Sequence, residues 1–118
     1  MAAATEASLQ LGELTIDLSS RRCRLHGTEL TLRPKEFDLL AALAGHSGVA
    51  VSREELMRRG LGRNWYGSTK TLDVTMAALR RQLSDAAQLH HVPDVALPNV
   101  TTLRGYGYRL DPPASDQE

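Results

Sequence analysis

"VTTLRGYGYRL" (Val100–Leu110) is the stretch on which the fold turns. β-branched residues lead into a Gly-Tyr-Gly centre, and a tyrosine, an arginine and a leucine lead out. That is the composition of two short strands joined by a tight turn. Gly105 and Gly107 permit positive φ at the tip. Tyr108 is placed to pack inward while Arg104 projects. A plain reading is a hairpin that needed glycine to turn. A second is a ribbon whose arginine touches something, and the preceding elements decide between them.

"STKTLDVTMAALRRQL" reads as a helix over Thr69–Leu83. Leu72, Met76, Leu79 and Leu83 recur at i, i+4, i+7 and i+11, one apolar stripe. The connector that follows carries two prolines, and its first residues can prolong the helix. Further upstream, "RPKEFDLLAALAGHSG" places Phe37, Leu40, Ala41 and Ala44 on one helical face, widened by Leu39 and Leu43. Pro34 suits the first helical position, and Gly45 and Gly48 end the helix. Arg33 is an odd N-cap, since Ser, Thr, Asp or Asn would normally accept an amide there. "VSREELMRRG" gives a second helix with a Ser52/Glu55 capping box, ended by Gly60.

Before the helices, "LQLGELTIDLSSRRCRLHGTELTL" alternates as three or four short antiparallel strands. Leu14, Ile16 and Leu18 share one face, Cys23 and Leu25 continue on a second strand, and Leu30 and Leu32 on a third. "SSRR" and "HGTE" are the turns. Strands, three helices and a terminal hairpin describe an α+β winged helix-turn-helix. The expected organisation is a disordered stretch 1–8, one domain 9–111 (sheet 9–32, helices and wing 33–111) and a disordered tail 112–118.

With 118 residues the chain can bury one core. No apolar run approaches the ~20 residues needed to cross a bilayer, and the N-terminal residues lack the pattern of a secretory signal. The single cysteine, Cys23, excludes an internal disulfide and reads as a small buried hydrophobe. These features point to a cytoplasmic protein. The formal net charge is zero, but it is unevenly spread. Residues 53–81 hold seven Lys/Arg against three acids (+4), residues 1–52 five against six (−1), and residues 82–118 two against five (−3). A polyanion feels such local charge within ~8 Å.

The third helix carries the functional reading. With Leu72 at zero and ~100° per residue, the face opposite the core stripe collects Lys70, Val74, Ala77 and Arg81, with Ala78 beside them. Asp73 and Arg80 lie on one flank, Thr71 and Thr75 on the other. A helix facing only water is more often Glu/Lys-rich. This face is smooth and apolar between two cations, as a DNA major groove would accept. Val74 or an alanine can touch a thymine methyl, Arg81 can donate twice to guanine, and Lys70 can meet phosphate near free backbone N–H groups. Arg104 on its ribbon suits the minor groove. The bland alternative gives the alanines to helix propensity and the arginines to solubility, and leaves exposed Val74 least explained.

The spaced set P-K-E-F, S-R-E-E-L, T-L-D-V, L-R-R and R-G-Y-G-Y-R-L closely resembles the C-terminal effector domain of OmpR/PhoB-type response regulators, over residues 9–111. The resemblance implies a four-stranded N-terminal sheet, three helices and a wing. It also implies binding to double-stranded promoter DNA, commonly as tandem protomers on direct repeats. By position it assigns DNA contact to Thr69, Lys70, Thr71, Val74, Thr75, Ala77, Ala78, Arg80 and Arg81, and to Thr102, Arg104 and Gly105 of the wing. Arg63, Asn64, Trp65 and Tyr66 fall in the loop that some members use to touch RNA polymerase. The chain departs from the pattern at Arg33, where a threonine cap is usual, at Ala77 and Ala78, where many relatives are basic or polar, and at Tyr106. It lacks the phosphorylatable receiver domain, so an excised domain and a regulator working without phosphorylation both remain open.

Two competing functions are a winged helix serving as a protein-interaction module and an enzyme. No glycine-rich phosphate loop, paired carboxylates or nucleophile cluster supports an enzyme, and no cofactor or metal is expected. His90, His91 and Asp94 read as a solvated loop, because adjacent side chains rarely converge on one ion. For DNA binding, Ala77 and Ala78 lead to the expectation of a shallow salt response, about three to five phosphate contacts per protomer.

Overall fold

The computed structural model describes residues 8–60, 69–93 and 96–113. Four strands come first: β1 (Ser8–Leu11), β2 (Leu14–Asp17), β3 (Arg22–Leu25) and β4 (Thr28–Leu30). They pair antiparallel in chain order, the architecture expected for the N-terminal segment. The register sets Ile16 opposite Cys23 and Leu14 opposite Leu25, so period-2 alternation puts these four on one buried face. Burial pushes the Cys23 thiol up to about 12, fitting a packed hydrophobe. Leu18 departs from the expected strand face and is 38% exposed. The Asp17 carboxylate accepts the Ser19 and Ser20 amides, which turns the chain before Leu18 can join the sheet.

Helix α1 (Pro34–Ala44) starts at its proline, as expected. The unusual cap resolves simply. The Glu36 carboxylate accepts the Arg33 amide at 3.0 Å, and the Arg33 carbonyl accepts the Phe37 amide at 2.9 Å. Glu36 thus supplies the reciprocal half of a capping box, and it is 4% exposed although charged. Arg21 anchors the β2–β3 turn to this helix. Its Nη1 pairs with Asp38 at 2.8 Å and its guanidinium lies 4.8 Å from the Phe37 ring centroid. It is therefore structural rather than part of a solvated turn.

A short strand, β5 (Ala50–Ser52), precedes α2 (Arg53–Gly60). Ser52 Oγ accepts the Glu55 amide at 3.1 Å, the expected cap. The Glu55 carboxylate turns instead to Arg58 and Arg59, three and four residues on. Helix α3 spans Thr69–Leu89, six residues beyond the expected Leu83. Ala86 and Ala87 prolong the buried stripe of Leu72, Met76, Leu79 and Leu83. His91, at φ +57, closes the helix: its amide reaches the Gln88 carbonyl, and the Val92 amide reaches the Ala87 carbonyl at 2.9 Å. These are the two bonds of a Schellman cap with histidine where glycine is usual. Asp94 lies outside the described residues.

The wing is β6 (Asn99–Leu103) and β7 (Gly107–Asp111), and β5 adds to the outer edge of β7, giving a sheet of order β5-β7-β6. The apolar faces of both sheets and all three helices contribute to one buried core. Ser8 pairs with Asp17 in the sheet, where disorder was expected. Pro113, placed in the tail by the sequence, is fully buried, its Cγ facing the Gly12 turn. Among the described residues no helix is long and apolar enough to cross a membrane.

The two wing glycines do different work. Gly105 has φ +77 and open space around it, so it serves the turn. Gly107 does not have positive φ, contrary to expectation. A Cβ there would lie 2.0 Å from the Val51 carbonyl oxygen and 2.9 Å from the Ser52 Cα, so glycine permits the close approach of β5. Gly107→Ala should destabilise the domain by about 3 kcal/mol through overpacking against backbone. Gly105→Ala should cost about 1 kcal/mol from left-handed strain alone. Urea unfolding midpoints check that order.

Candidate nucleic-acid interface

The exposed face of α3 is the one the helical wheel isolates. Lys70, Val74, Ala77 and Arg81 are exposed, whereas Thr71, Thr75 and Ala78 are half-buried. Val74 is 63% exposed, a β-branched apolar residue held toward solvent on a well-formed helix. Thr69 begins the helix. Arg63, Asn64, Trp65 and Tyr66, the candidate polymerase contact, lie outside the described residues.

On one flank of this face the helix is fastened to the wing. The Asp73 carboxylate accepts Arg53 Nη2 at 2.6 and 2.5 Å, one nitrogen spanning both oxygens. It also accepts the Tyr108 hydroxyl at 2.6 Å. The Arg53 and Arg80 guanidiniums each lie 5.6 Å from the Tyr108 ring centroid. Arg80 completes the junction: Nε and Nη2 donate to the Val100 carbonyl at 3.1 and 2.8 Å, and Nη2 to the Thr102 hydroxyl at 2.6 Å. The resemblance assigns DNA contact to Arg80 and Thr102; the structure bonds them to each other. The Asp73–Tyr108 contact was not foreseen, since nothing local links residues 35 apart.

Burial alone would raise the Asp73 carboxyl, but the bonds from Tyr108 and Arg53 outweigh it and hold the group below its ordinary range. Burial, followed by the neighbouring Asp73, pushes the Tyr108 phenol up. The wing tip is tethered as well. The Tyr106 carbonyl accepts the Arg53 amide at 3.1 Å, and the Tyr106 amide reaches the Leu103 carbonyl at 2.9 Å. Arg104 and Gly105 are exposed at the tip, beside Tyr106 at 52% exposure. Tyr108 packs inward as the alternation implied.

On the opposite flank, Thr75 and Ala78 face the first turn of α1. Together with Val74 they line a cleft of about 390 Å³ whose other wall is Arg33, Pro34, Lys35 and Glu36. Part of the basic middle is paired internally, Arg53 with Asp73, and Arg58 and Arg59 sharing Glu55. Lys70 and Arg81 are the exposed cations of α3. Among the described residues no three His, Cys, Asp or Glu converge to hold a metal ion.

Residues 27–110 match the family described as "Transcriptional regulatory protein, C terminal". The sensory transduction protein RegX3 of Mycolicibacterium smegmatis is 35% identical over 111 residues, covering 93% of this chain and 45% of RegX3. The DNA-binding domain of CpxR from E. coli shares the fold with a TM-score of 0.72 and 30% identity, covering 90% of this chain and 97% of that one. The Klebsiella pneumoniae RstA DNA-binding domain, solved in complex with the RstA box, gives 0.71 and 30%, covering 89% and 97%. The chain spans about half the length of the curated relatives it matches.

The junction makes a quantitative prediction. A buried hydrogen bond to a charged acceptor contributes about 1.5–3 kcal/mol, whereas solvent screens the Arg53–Asp73 pair, whose side chains are 33% and 40% exposed. Tyr108→Phe should therefore destabilise more than Arg53→Gln, with the Tyr108–Asp73 coupling read from a double-mutant cycle. The pH dependence has two limbs. The lowered Asp73 carboxyl stabilises above its ordinary range and is lost as pH falls below about 4. The raised Tyr108 phenol stabilises below its ordinary value and is lost as pH climbs past about 10. Asp73→Asn should flatten part of the acid limb in pH-dependent unfolding.

Proposed function

The chain belongs to the OmpR/PhoB-type family of transcriptional regulatory C-terminal domains, and on that premise we propose that it binds double-stranded promoter DNA sequence-specifically. The family is one of transcription regulators, not enzymes. The observation that carries the reading is exposed Val74 at the centre of a cation-flanked helical face, beside a ribbon tipped with arginine. An α-helix of ~10–12 Å diameter fits a major groove ~12 Å wide when its leading side chains are small. Val74, Ala77 and Ala78 meet thymine methyls, Arg81 reads guanine, and Lys70 with the threonines Thr69, Thr71 and Thr75 contacts the adjoining backbone. Arg104 and Gly105 enter the neighbouring minor groove, while Arg80 and Thr102 fix the wing's angle.

Occupancy by tandem protomers on direct repeats belongs to the same proposal, as does contact with RNA polymerase through residues 63–66. Both build on a domain that presents one reading face and leaves its remaining surface open to protein.

Selection of bound duplexes from a random pool supplies the operator. On that duplex Arg81→Ala should lose about 1–3 kcal/mol and relax preference at one base pair. Arg104→Ala should weaken binding chiefly where the flank is A·T-rich. Unchanged affinity for Arg81→Ala across salt concentrations would overturn the reading face. Salt-insensitive behaviour on every duplex would favour a protein-interaction module instead.

A further inference from the structure

We propose that the first turn of α1 is a second backbone-gripping edge of the interface, with Arg33, assisted by Lys35, contacting the sugar–phosphate strand on the side of the major groove opposite the wing. This rests on the DNA-binding reading above and extends it to residues outside α3 and the wing.

The argument begins with the two flanks of α3. Asp73 and Arg80 face the wing and are bonded to it. Thr75 and Ala78 fall on the other side of Val74, and there the neighbouring element is α1. A helix seated in the major groove has a phosphate strand along each side. One strand runs toward the wing. The other must pass along the first turn of α1, over the cleft that Val74, Thr75 and Ala78 share with it.

The cleft suits a polyanion. Its α3 side is made of the small residues Val74, Thr75 and Ala78, and Arg33 and Lys35 are exposed at its rim. The acid in its wall, Glu36, is buried and accepts the Arg33 amide. The next acid along the helix, Asp38, is paired with Arg21. Arg33 therefore brings positive charge to the rim, beside the exposed face of α3.

Arg33 has no role in capping that would explain its side chain. Its backbone is ordinary extended chain at φ −70 and ψ 155, and the capping bonds run through its own amide and carbonyl. A threonine there would cap the helix better. A long cation is useful at this position if it acts on something outside the fold.

Arg33→Thr separates the two roles. On the selected duplex it should lower the slope of log K against log salt by about 0.9, one phosphate contact. Base preference should stay the same and the thermal midpoint should not fall. Arg33→Lys should restore the slope. Methylphosphonate linkages on the strand away from the wing should weaken the wild-type protein and leave Arg33→Thr unaffected, a readout that does not depend on the variant's folding. Wild-type slope and affinity in Arg33→Thr would overturn the proposal, as would an altered base preference. Failure of the DNA reading itself looks different, since the wild-type protein would then show no salt-sensitive binding to any duplex.

Discussion

The Asp73 carboxylate accepts Arg53 from the start of α2 and Tyr108 from β7, while it sits in the second turn of α3. Three elements distant in sequence are thereby tied at one point. The wing is otherwise a two-stranded ribbon, and such ribbons are marginal alone in water. It holds its place because β5 adds to one edge, Gly107 lets that strand approach, and Arg80 bonds the other strand to the helix. A reader of two grooves needs a fixed separation between its helix and its wing. The Asp73 junction fixes that separation by bonding α3 to α2 and to the wing.

The same economy governs the cations. Arginine is suited to such junctions because it stays charged and can donate several bonds at once. Arg21, Arg53, Arg58, Arg59 and Arg109 each hold an acid of the fold, and Arg80 holds a carbonyl and a hydroxyl. A chain of zero formal charge can still offer a positive surface when its acids are engaged internally and a few cations stand outside. Arg33, Arg81 and Arg104 are among the cations exposed there.

Much of the fold was legible because its signals are periodic. The Leu72–Met76–Leu79–Leu83 stripe, the alternation of Leu14 and Ile16, and the hairpin at Gly105 each belong to a local pattern. So does the exposed face of α3, which is the complement of its stripe. What escaped was short, substituted or long-range. β5 has three residues, too few to alternate. His91 caps α3 in a conformation that glycine normally signals, so the helix looked shorter than it is. Glu36 replaced the expected side-chain cap by bonding backwards. Gly107 read as a turn glycine because close strand approach leaves no local trace. The Asp73–Tyr108 bond is a tertiary fact, and so are the bonds by which Arg80 joins this flank of α3 to Val100 and Thr102 of the wing.

Those bonds bear on how the proposed interface would select its sequence. Were Arg80 and Thr102 on the open face, α3 would grip phosphate along both sides and hold any duplex well, since backbone charge carries no sequence information. Bonded to each other, they leave a helix whose centre offers methyl groups and one guanidinium. Methyl contacts and a two-pronged guanine contact act only on the right bases. In the proposed complex the backbone would be held by Lys70 and the threonines of α3 and, on the far side, by Arg33 at the first turn of α1, with Arg104 at the wing tip in the minor groove. On that proposal affinity would depend on both edges and the centre fitting together, and a wrong sequence would forfeit the centre while keeping only a thin electrostatic hold.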